Sequence, residues 1–263
     1  MKIIDSHVHI GDYERVKNIL KNSIYLNKYR LYSAIDPNAI LNTRNYLSDT
    51  EGYFAIPIVF KEIDIAEENA FLEEHARTDK KAIPVPLIEP NASSFRSLLY
   101  KEHFLIHDYE NFESRYDTYR FLNENGGYLL IHCDDSIRVD YINYLHKTFP
   151  NMHIIIAHMG RNVFENYDFS TNIIDQFHSK DNIMFDISTI TNPEILRYGI
   201  SKCGSERILY GSDFPYEKKV DDSEDKFTEI IYSLGLPAND AENIFYNNAY
   251  RIKQYCKKRG NQL

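Results

Sequence analysis

The chain has 263 residues, of which 43% are hydrophobic, and its formal net charge at pH 7 is −9. This acidity argues against general binding to nucleic acid or anionic membranes, which relies on clustered Lys and Arg, and favours a small-molecule substrate. The length predicts a single domain over residues 1–263, a size typical of one α/β barrel. Three dispersed cysteines predict neither a disulfide framework nor a cysteine zinc site, and no apolar run is long enough to span a bilayer. We therefore expect a cytoplasmic protein with no membrane contact.

Short apolar runs alternate with helical patterns along the chain, which is typical of βα units around a parallel sheet. Most runs are continuously apolar, as strands buried on both faces are. The pattern predicts an α/β fold, a distorted (β/α)8 TIM barrel. Its eight strands are predicted at residues 2–7, 53–60, 82–88, 103–107, 128–132, 153–158, 182–188 and 207–212.

Two segments between the strands have apolar residues at helical spacing, and each ends before a helix breaker. They cover residues 110–125, before Gly126, and residues 136–149. We predict that both are crossover helices. Three further predictions concern the remaining segments: residues 29–35 elaborate the first βα loop, residues 221–226 start a helix, and residues 257–263 form a frayed tail.

Histidine and aspartate recur at the C-terminal ends of the predicted strands. In a parallel barrel these ends form the mouth where ligands bind, so residues distant in sequence are expected to meet there. Several imidazoles with a carboxylate and no thiolate match a catalytic divalent ion that keeps one position for water. The residues concerned are His7, His9, His132, His158 and Asp213.

Asp5, His7 and His9 stand two residues apart in the opening run. Alternate side chains of a strand point to one face, so this spacing predicts that all three converge. With the other strand-end residues, His7 and His9 form one edge of the predicted metal site. Asp5 is expected to orient them, or a neighbouring strand, through hydrogen bonds.

The ordered set of motifs resembles the amidohydrolase-related family, metal-dependent barrel hydrolases that include aminocarboxymuconate semialdehyde decarboxylase. The motifs are IDSHVHIG, LLIHCD, IIIAHMG, MFDIS, ILYGSDFP and IFYNNAYRI. The resemblance implies that the metal ligands are His7, His9, His132 and Asp213. It also implies that His158 acts as an acid/base or electrostatic group beside the metal, while Asp213 accepts or orients the proton of the attacking water.

Two-metal members of the wider superfamily carry a carboxylated Lys on the fourth strand. The predicted fourth strand here, HFLIH, places Leu105 and His107 near that position and no Lys. We therefore predict one divalent ion, with zinc expected and manganese or iron as alternatives. His107 then becomes a candidate substrate contact, or else a surface histidine bonded to a loop.

Several weaker candidates complete the predicted mouth. Arg161 is positioned after the sixth strand to clamp a substrate carboxylate, or else is a solvated loop residue. Tyr13 and Tyr216 are candidates for the pocket wall. Glu89 and Asp186 are either hydrogen-bond acceptors behind the ligands or, as we favour, buried carboxylates whose hydrogen bonds are satisfied. Cys133 is expected to be a packing residue.

The expected activity is hydrolysis of an amide, ester or lactone in a small organic substrate by a metal-activated water. A lyase that decarboxylates an aromatic or muconate-like acid uses the same ligands and stays open. Two further alternatives are a non-catalytic barrel and a metal phosphoesterase. With 21 Tyr and 15 Phe, aromatic side chains are expected mainly in the core and at interfaces, such as that of a homodimer.

Overall fold

The computed structural model describes residues 1–23, 47, 49–132, 138–161, 167–216 and 226–260. Within these ranges, parallel strands alternate with helices as the sequence predicts. The strands are β1 Ile4–Ile10, β2 Gly52–Pro57, β3 Ala82–Pro84, β4 Leu99–His103, β5 Tyr128–His132, β6 His153–Ile156, β7 Ile183–Asp186 and β8 Ile208–Leu209.

The helices lie between and after these strands. In chain order they are α1 Tyr13–Asn22, α2 Ile65–Thr78, α3 Tyr116–Asn125, α4 Arg138–Thr148, α5 Tyr167–Phe177, α6 Pro193–Cys203, α7 Lys226–Ser233, α8 Ala238–Glu242 and α9 Asn248–Gly260. A π-helical turn, Asn243–Asn247, joins α8 to α9. None of the helices in the described part of the chain combines the length and the apolar character needed to cross a bilayer.

The strands form two parallel sheets, β1-β2-β3 and β4-β5-β6-β7-β8, which close into a barrel through backbone hydrogen bonds. Lys101 N donates to Pro86 O at 2.8 Å and joins β4 to the segment after β3. Asp213 N donates to His7 O at 2.8 Å, and Ser6 N to Tyr210 O at 2.8 Å, so the chain beyond β8 returns to β1. The predicted distorted barrel is confirmed.

Alternating side chains of the strands fill the barrel interior with apolar groups at the N-terminal end and polar groups at the mouth. Removing such apolar side chains from water stabilises a fold by about 1.5–3 kcal/mol each. Ala249 and Ile252 of α9 pack against this cluster and cover the N-terminal end. The buried interior cluster comprises Ile4, Phe54, Ile56, Ile83, Val85, Leu99, Leu130, Ile155, Ala157, Met184 and Leu209 with those two helix residues.

The predicted bounds of the fourth strand, residues 103–107, are wrong by four residues. The strand is Leu99–His103, whereas residues 104–106 form a turn in which Ile106 N donates to His103 O. The statement that the fourth strand carries no Lys is therefore also wrong, since Lys101 lies in its middle. Hydropathy does not identify β4 because its three consecutive polar residues, Lys101, Glu102 and His103, are buried against other polar groups.

Helix ends follow their local signals. Gly126 ends α3 with φ 61°, a left-handed conformation that glycine adopts without the steric cost of a Cβ. The predicted helix over 110–125 is shorter than expected, beginning at Tyr116 after a 3₁₀ turn. The expected fraying from residue 257 is wrong as far as residue 260, because α9 continues to Gly260. The predictions for residues 29–35, 221–225 and Cys133 lie outside the described residues.

Candidate metal centre

His7 and His9, near the C-terminal end of β1, meet Asp213 in the mouth of the barrel. The Nε2 atoms of both histidines lie 3.3 Å from the same oxygen, Oδ1 of Asp213. All three residues are buried. Gly211 permits this close approach of the chain after β8 to β1, because a Cβ at that position would lie 2.9 Å from His7 Cβ. The first and last strands thus build one site.

The second ring nitrogen of each histidine is fixed by a hydrogen bond. His9 Nδ1 lies 2.8 Å from the carbonyl oxygen of Pro57, which can only accept, so Nδ1 carries the hydrogen. His7 Nδ1 likewise donates to Oδ2 of Asp186 at 2.8 Å. The Nε2 atom of each neutral ring is therefore unprotonated and lies close to Asp213.

These electron-rich atoms repel one another unless a cation lies among them. In a tetrahedral site with metal–ligand bonds of about 2.0–2.1 Å, neighbouring ligand atoms are separated by about 3.3–3.4 Å. The two measured Nε2–Oδ1 distances of 3.3 Å match this separation. Imidazole nitrogen and carboxylate oxygen also suit zinc, manganese and iron. The residues present fit a divalent metal ion held by His7, His9 and Asp213.

The pKa shifts favour the protonation states that a metal requires. Burial lowers the pKa of His7 from 6.5 to about 3, and the charge of Lys101 acts in the same direction. Burial alone raises the pKa of Asp213, but the neighbouring imidazoles, above all His158 and His7, hold it well below its usual range. A neutral His7 and an ionised Asp213 are both ready to coordinate a cation.

His158, which follows β6, stacks on His7 with ring centroids 4.9 Å apart. Its Nδ1 lies 2.8 Å from Oγ of Ser188, whose hydroxyl donates to Oδ1 of Asp186, so His158 Nδ1 is the donor to Ser188. Its Nε2 faces Nδ1 of His132 at 3.1 Å. The structure brings His158 into the centre, and its acid/base role stays a prediction.

His132 ends β5 as the sequence predicts, but it contacts other histidines rather than the three-residue group. Its ring lies 4.3 Å from that of His103 and 4.6 Å from that of His158, measured between centroids. Among the described residues, two groups have three potential ligand atoms close together, and neither includes His132. The second group, of His7, His158 and Asp186, is already joined by hydrogen bonds. The fourth predicted ligand is therefore not assembled with the other three.

Two residues of β4, Lys101 and His103, belong to the centre and were missed from the sequence. The Lys101 side chain is fully buried, with Nζ 3.2 Å from His7 Nε2. His103 Nδ1 accepts from Leu105 N at 3.2 Å, so in the neutral ring Nε2 carries the hydrogen. Burial lowers the pKa of His103 well below 6.5, which keeps the ring neutral. A strand ending in His, as in YLLIH, was the signal that could have found it.

Asp5 does not converge with the two ligands, because the β1–β2 register shifts between Asp5 and Val8. Its Oδ1 accepts from His7 N and from Ser212 N, each at 3.0 Å, so Asp5 joins β1 to the segment after β8. This agrees with the orienting role expected for it. The irregular register turns the Asp5 side chain away from the face that His7 and His9 share.

The two carboxylates left open by the sequence have different surroundings. Asp186 is a buried carboxylate with both oxygens hydrogen-bonded, as we favoured, and because one partner is His7 Nδ1 it is also an acceptor behind a ligand. Neighbouring His7 counteracts the effect of burial and lowers the pKa of Asp186 far below 3.8. Glu89 is exposed and accepts from Asn69 Nδ2 at 2.9 Å, so its prediction as a buried group is wrong.

His107 has the contacts of a structural residue. Its Nδ1 accepts from His103 N at 2.9 Å, and its Nε2 donates to Ile88 O at 2.9 Å. The side chain is buried, which differs from the surface histidine named as the alternative. Both ring nitrogens are thus engaged by backbone atoms, and the geometry does not support the substrate contact predicted for His107.

The remaining predicted pocket residues are distributed unevenly around the centre. Tyr216 packs the edge of its ring against His9, with centroids 4.8 Å apart, and its hydroxyl bonds Val59 O and N. Arg161 lies beside His158 and donates from Nη1 to Thr189 O at 3.3 Å. Tyr13 lies on α1 with Lys17 Nζ 5.6 Å from the centroid of its ring, and within the described part of the chain it does not contact the histidines.

Several non-glycine residues at the mouth have positive φ. The values are 56° for His158, 63° for Thr189 and 59° for Asp213. A left-handed conformation costs such residues roughly 1–3 kcal/mol each, so the surrounding structure must impose it. The hydrogen bonds from His158 N to Asp186 and from Asp213 N to His7 O hold two of these backbones in place.

Comparison with known families and structures gives three findings. A family model described as Amidohydrolase matches residues 90–252, which is more than half of the chain. A search of curated proteins finds no match. Solved structures of low sequence identity share the fold over nearly the whole chain.

Three of these structures illustrate the likeness. A putative 2-pyrone-4,6-dicarboxylic acid hydrolase from Pseudomonas putida has 14% identity and a TM-score of 0.68, with 97% of this chain and 98% of that chain covered. A 5-carboxyvanillate decarboxylase from Sphingomonas paucimobilis has 13% identity and a TM-score of 0.67, covering 96% and 99%. A zinc-bound amidohydrolase from Burkholderia multivorans has 12% identity and a TM-score of 0.72, covering 97% and 99%.

Proposed function

The chain belongs to the amidohydrolase family, whose model matches more than half of it, and from that premise we propose that it hydrolyses an amide, ester or lactone. The family and the structural likenesses support a metal-dependent hydrolase or decarboxylase. One observation carries the proposal: two unprotonated Nε2 atoms lie at ligand–ligand distance from an ionised Asp213.

His7, His9 and Asp213 would hold the ion, for which we propose zinc. A bound divalent ion supplies Lewis-acid polarisation of a carbonyl and makes water acidic enough to lose a proton near neutral pH. Asp213 would accept that proton as a carboxylate beside the ligand nitrogens, and its lowered pKa means that it is ionised and available. His132 would be a fourth ligand through Nε2, because its Nδ1 donates to His158 Nε2 and the lone pair of the neutral ring is then on Nε2.

His158 and His103 would act on the substrate rather than on the ion. Once His132 no longer occupies the Nε2 atom of His158, that atom can take up the proton held by Asp213 and give it to the leaving group. His103 can donate its Nε2–H to the oxygen on which negative charge develops, as a neutral imidazole does in a buried site. Asp213 and His158 thus accept and return the proton, while His103 stabilises the developing charge.

We further propose that the substrate carries a carboxylate, which Arg161 binds bidentately near His158. Tyr216 forms the wall beside His9. Two of the structurally similar proteins have carboxylated compounds in their names, which supports this substrate class. Substitution of Arg161 by Gln should then raise KM more than it lowers kcat.

The test is an activity panel with purified protein loaded with Zn²⁺ or Mn²⁺. Carboxylated lactones, esters and amides are assayed by acid release, carboxylated aromatic acids by CO₂ release, and phosphodiesters serve as a negative class. Hydrolysis that is lost in Asp213→Asn, with folding retained by circular dichroism, would support the proposal. CO₂ release without hydrolysis would establish the decarboxylase alternative, which the similarity to 5-carboxyvanillate decarboxylase favours.

A further inference from the structure

Lys101 is a fully buried lysine in the interior of the barrel, directly beside a proposed metal ligand. Its Nζ lies 3.2 Å from Nε2 of His7. Because His7 Nδ1 donates to Asp186, Nε2 is the ring atom with the lone pair, and Lys101 is the donor. Lys101 thus bonds to the lone pair that a metal ion at His7 would need.

The positive charge of Lys101 acts on the whole centre. It contributes to the lowered pKa values of His7, His103, His132 and His158, although burial is the largest cause for each of them. The ionised carboxylate of Asp186 lies at the opposite ring nitrogen of His7, whereas Oδ1 of Asp213 lies 3.3 Å from the same Nε2 that Lys101 contacts. A divalent ion at His7 would lie a few ångströms from this ammonium, and two cations at that separation repel strongly in a buried site.

His132 and His158 do not form an open second site. His158 Nε2 and His132 Nδ1 face each other at 3.1 Å, so one ring donates to the other and a lone pair is occupied. His158 Nδ1 is occupied by Ser188. Within the described part of the chain, no group of three potential ligands contains both histidines.

We propose that Lys101 is a resident cation, an unmodified ammonium that limits the centre to one divalent ion and weakens the affinity for that ion. The ion and the ammonium compete for His7 Nε2, so the hydrogen bond between Lys101 and His7 breaks when the ion binds. This inference rests on the metal-dependent function proposed above. It differs from that function in predicting a stoichiometry and an affinity rather than a reaction.

The experiment measures Zn²⁺ binding to the full chain after removal of metal with a chelator. Four proteins are compared: the wild type, Lys101→Met, Lys101→Gln and Lys101→Arg. Gln keeps an N–H donor for His7 but has no charge, Met has neither, and Arg keeps the charge. Elemental analysis gives the number of ions per chain, and competition with a chromophoric chelator gives the affinity.

We expect one ion per wild-type chain, and binding about tenfold tighter or more in both Lys101→Met and Lys101→Gln, because the repelling charge is gone. Lys101→Arg should stay near the wild type. The exposed Lys80 provides a matched control, and Lys80→Met should leave the affinity unchanged. Circular dichroism checks folding, and if Met or Arg is not tolerated in the barrel, the Gln variant alone decides.

Three results would overturn the proposal. They are unchanged affinity in the uncharged variants, two ions per wild-type chain, and a carbamate carbon on Lys101 seen by ¹³C NMR after labelling with bicarbonate. These outcomes do not depend on turnover. A protein that shows the expected binding but hydrolyses nothing supports this inference and refutes the proposed hydrolase. Hydrolysis with unchanged affinities in the uncharged variants refutes this inference and supports the proposed hydrolase.

Discussion

At the residue scale, the chemistry of the centre depends on which ring nitrogen carries the hydrogen. Pro57 O and Asp186 fix the hydrogen on Nδ1 of His9 and His7, which leaves Nε2 for a cation. Leu105 N fixes the opposite tautomer in His103. The sequence predicts His7 and His9 as ligands, but their tautomers depend on partners far along the chain and cannot be inferred from spacing.

Asp186→Asn tests the control of a tautomer directly. The amide can place an N–H against His7 Nδ1, which then has to accept, so Nε2 becomes protonated and cannot coordinate. We expect the affinity for Zn²⁺ to fall about 10- to 100-fold, measured by chelator competition. The exposed Glu89→Gln serves as the control and should bind like the wild type; equal affinity in Asp186→Asn would contradict the assignment.

His103→Phe and His103→Gln test the hydrogen-bond donor of β4. Phe preserves ring packing on His132 without an N–H, whereas Gln retains a donor near the position of Nε2. We expect kcat to fall roughly 100- to 1,000-fold in the Phe variant and less in the Gln variant, with metal content unchanged in both. Steady-state kinetics and elemental analysis provide the readouts, and full activity of the Phe variant would exclude a donor role.

At the element scale, the strands that the sequence predicts well are those with apolar runs. β4 differs because each of its faces carries polar residues with buried partners. Lys101 points to the histidines, while Glu102 accepts from Arg115 Nε, Tyr119 OH and Tyr141 OH, each at 2.8 Å. A hydropathy scale scores Lys and Glu as solvent-facing. It therefore predicts the strand at the neighbouring FLI run, residues 104–106, which forms a turn.

Glu102→Ala should be among the more destabilising single changes in the described part of the barrel. It leaves the buried Arg115 guanidinium without its carboxylate, and breaking a buried pair in this way costs about 3–5 kcal/mol. Glu102→Gln keeps an oxygen acceptor and should cost less. Urea unfolding at pH 7 measures both, with Glu113→Gln, an exposed position, expected within about 0.5 kcal/mol of the wild type. A loss below 1 kcal/mol in the Ala variant would contradict this account.

At the scale of the whole molecule, the sequence predicts the barrel and the clustering at its mouth, because strand periodicity and strand-end residues are local signals. It does not predict which of the clustered residues share one ligand group. That depends on the shifted register of β1 and on how β8 returns to it. His132 shows the difference, since it lies at the predicted strand end yet meets His158 and His103.

The buried histidines should make the metal-free fold sensitive to acid. Burial lowers the pKa of His7, His103, His107, His132 and His158 below 6.5 in the folded state. The unfolded chain then binds more protons, so stability is present above pH 6.5 and falls as pH decreases, by up to about 1.4 kcal/mol per pH unit for each such histidine.

Urea unfolding between pH 8 and pH 5 measures this dependence. His107→Gln removes one titrating ring, so its stability should change less steeply with pH than that of the wild type, whatever its stability at pH 8. A wild-type free energy of unfolding that does not decrease between pH 7 and pH 5 would contradict the neutral state assigned to these rings.

The junction between β1 and the segment after β8 has a consequence for how the two sheets of the barrel are held together. His7 and His9 come from the three-stranded sheet, whereas Asp213 follows the last strand of the five-stranded sheet. An ion shared by these residues would fasten the start of the chain to its final third, and ligands that bind only the folded form stabilise it by mass action. A protein nicked in an exposed loop between β3 and β4 should therefore hold together as a two-piece complex more tightly when zinc is present than when it has been removed.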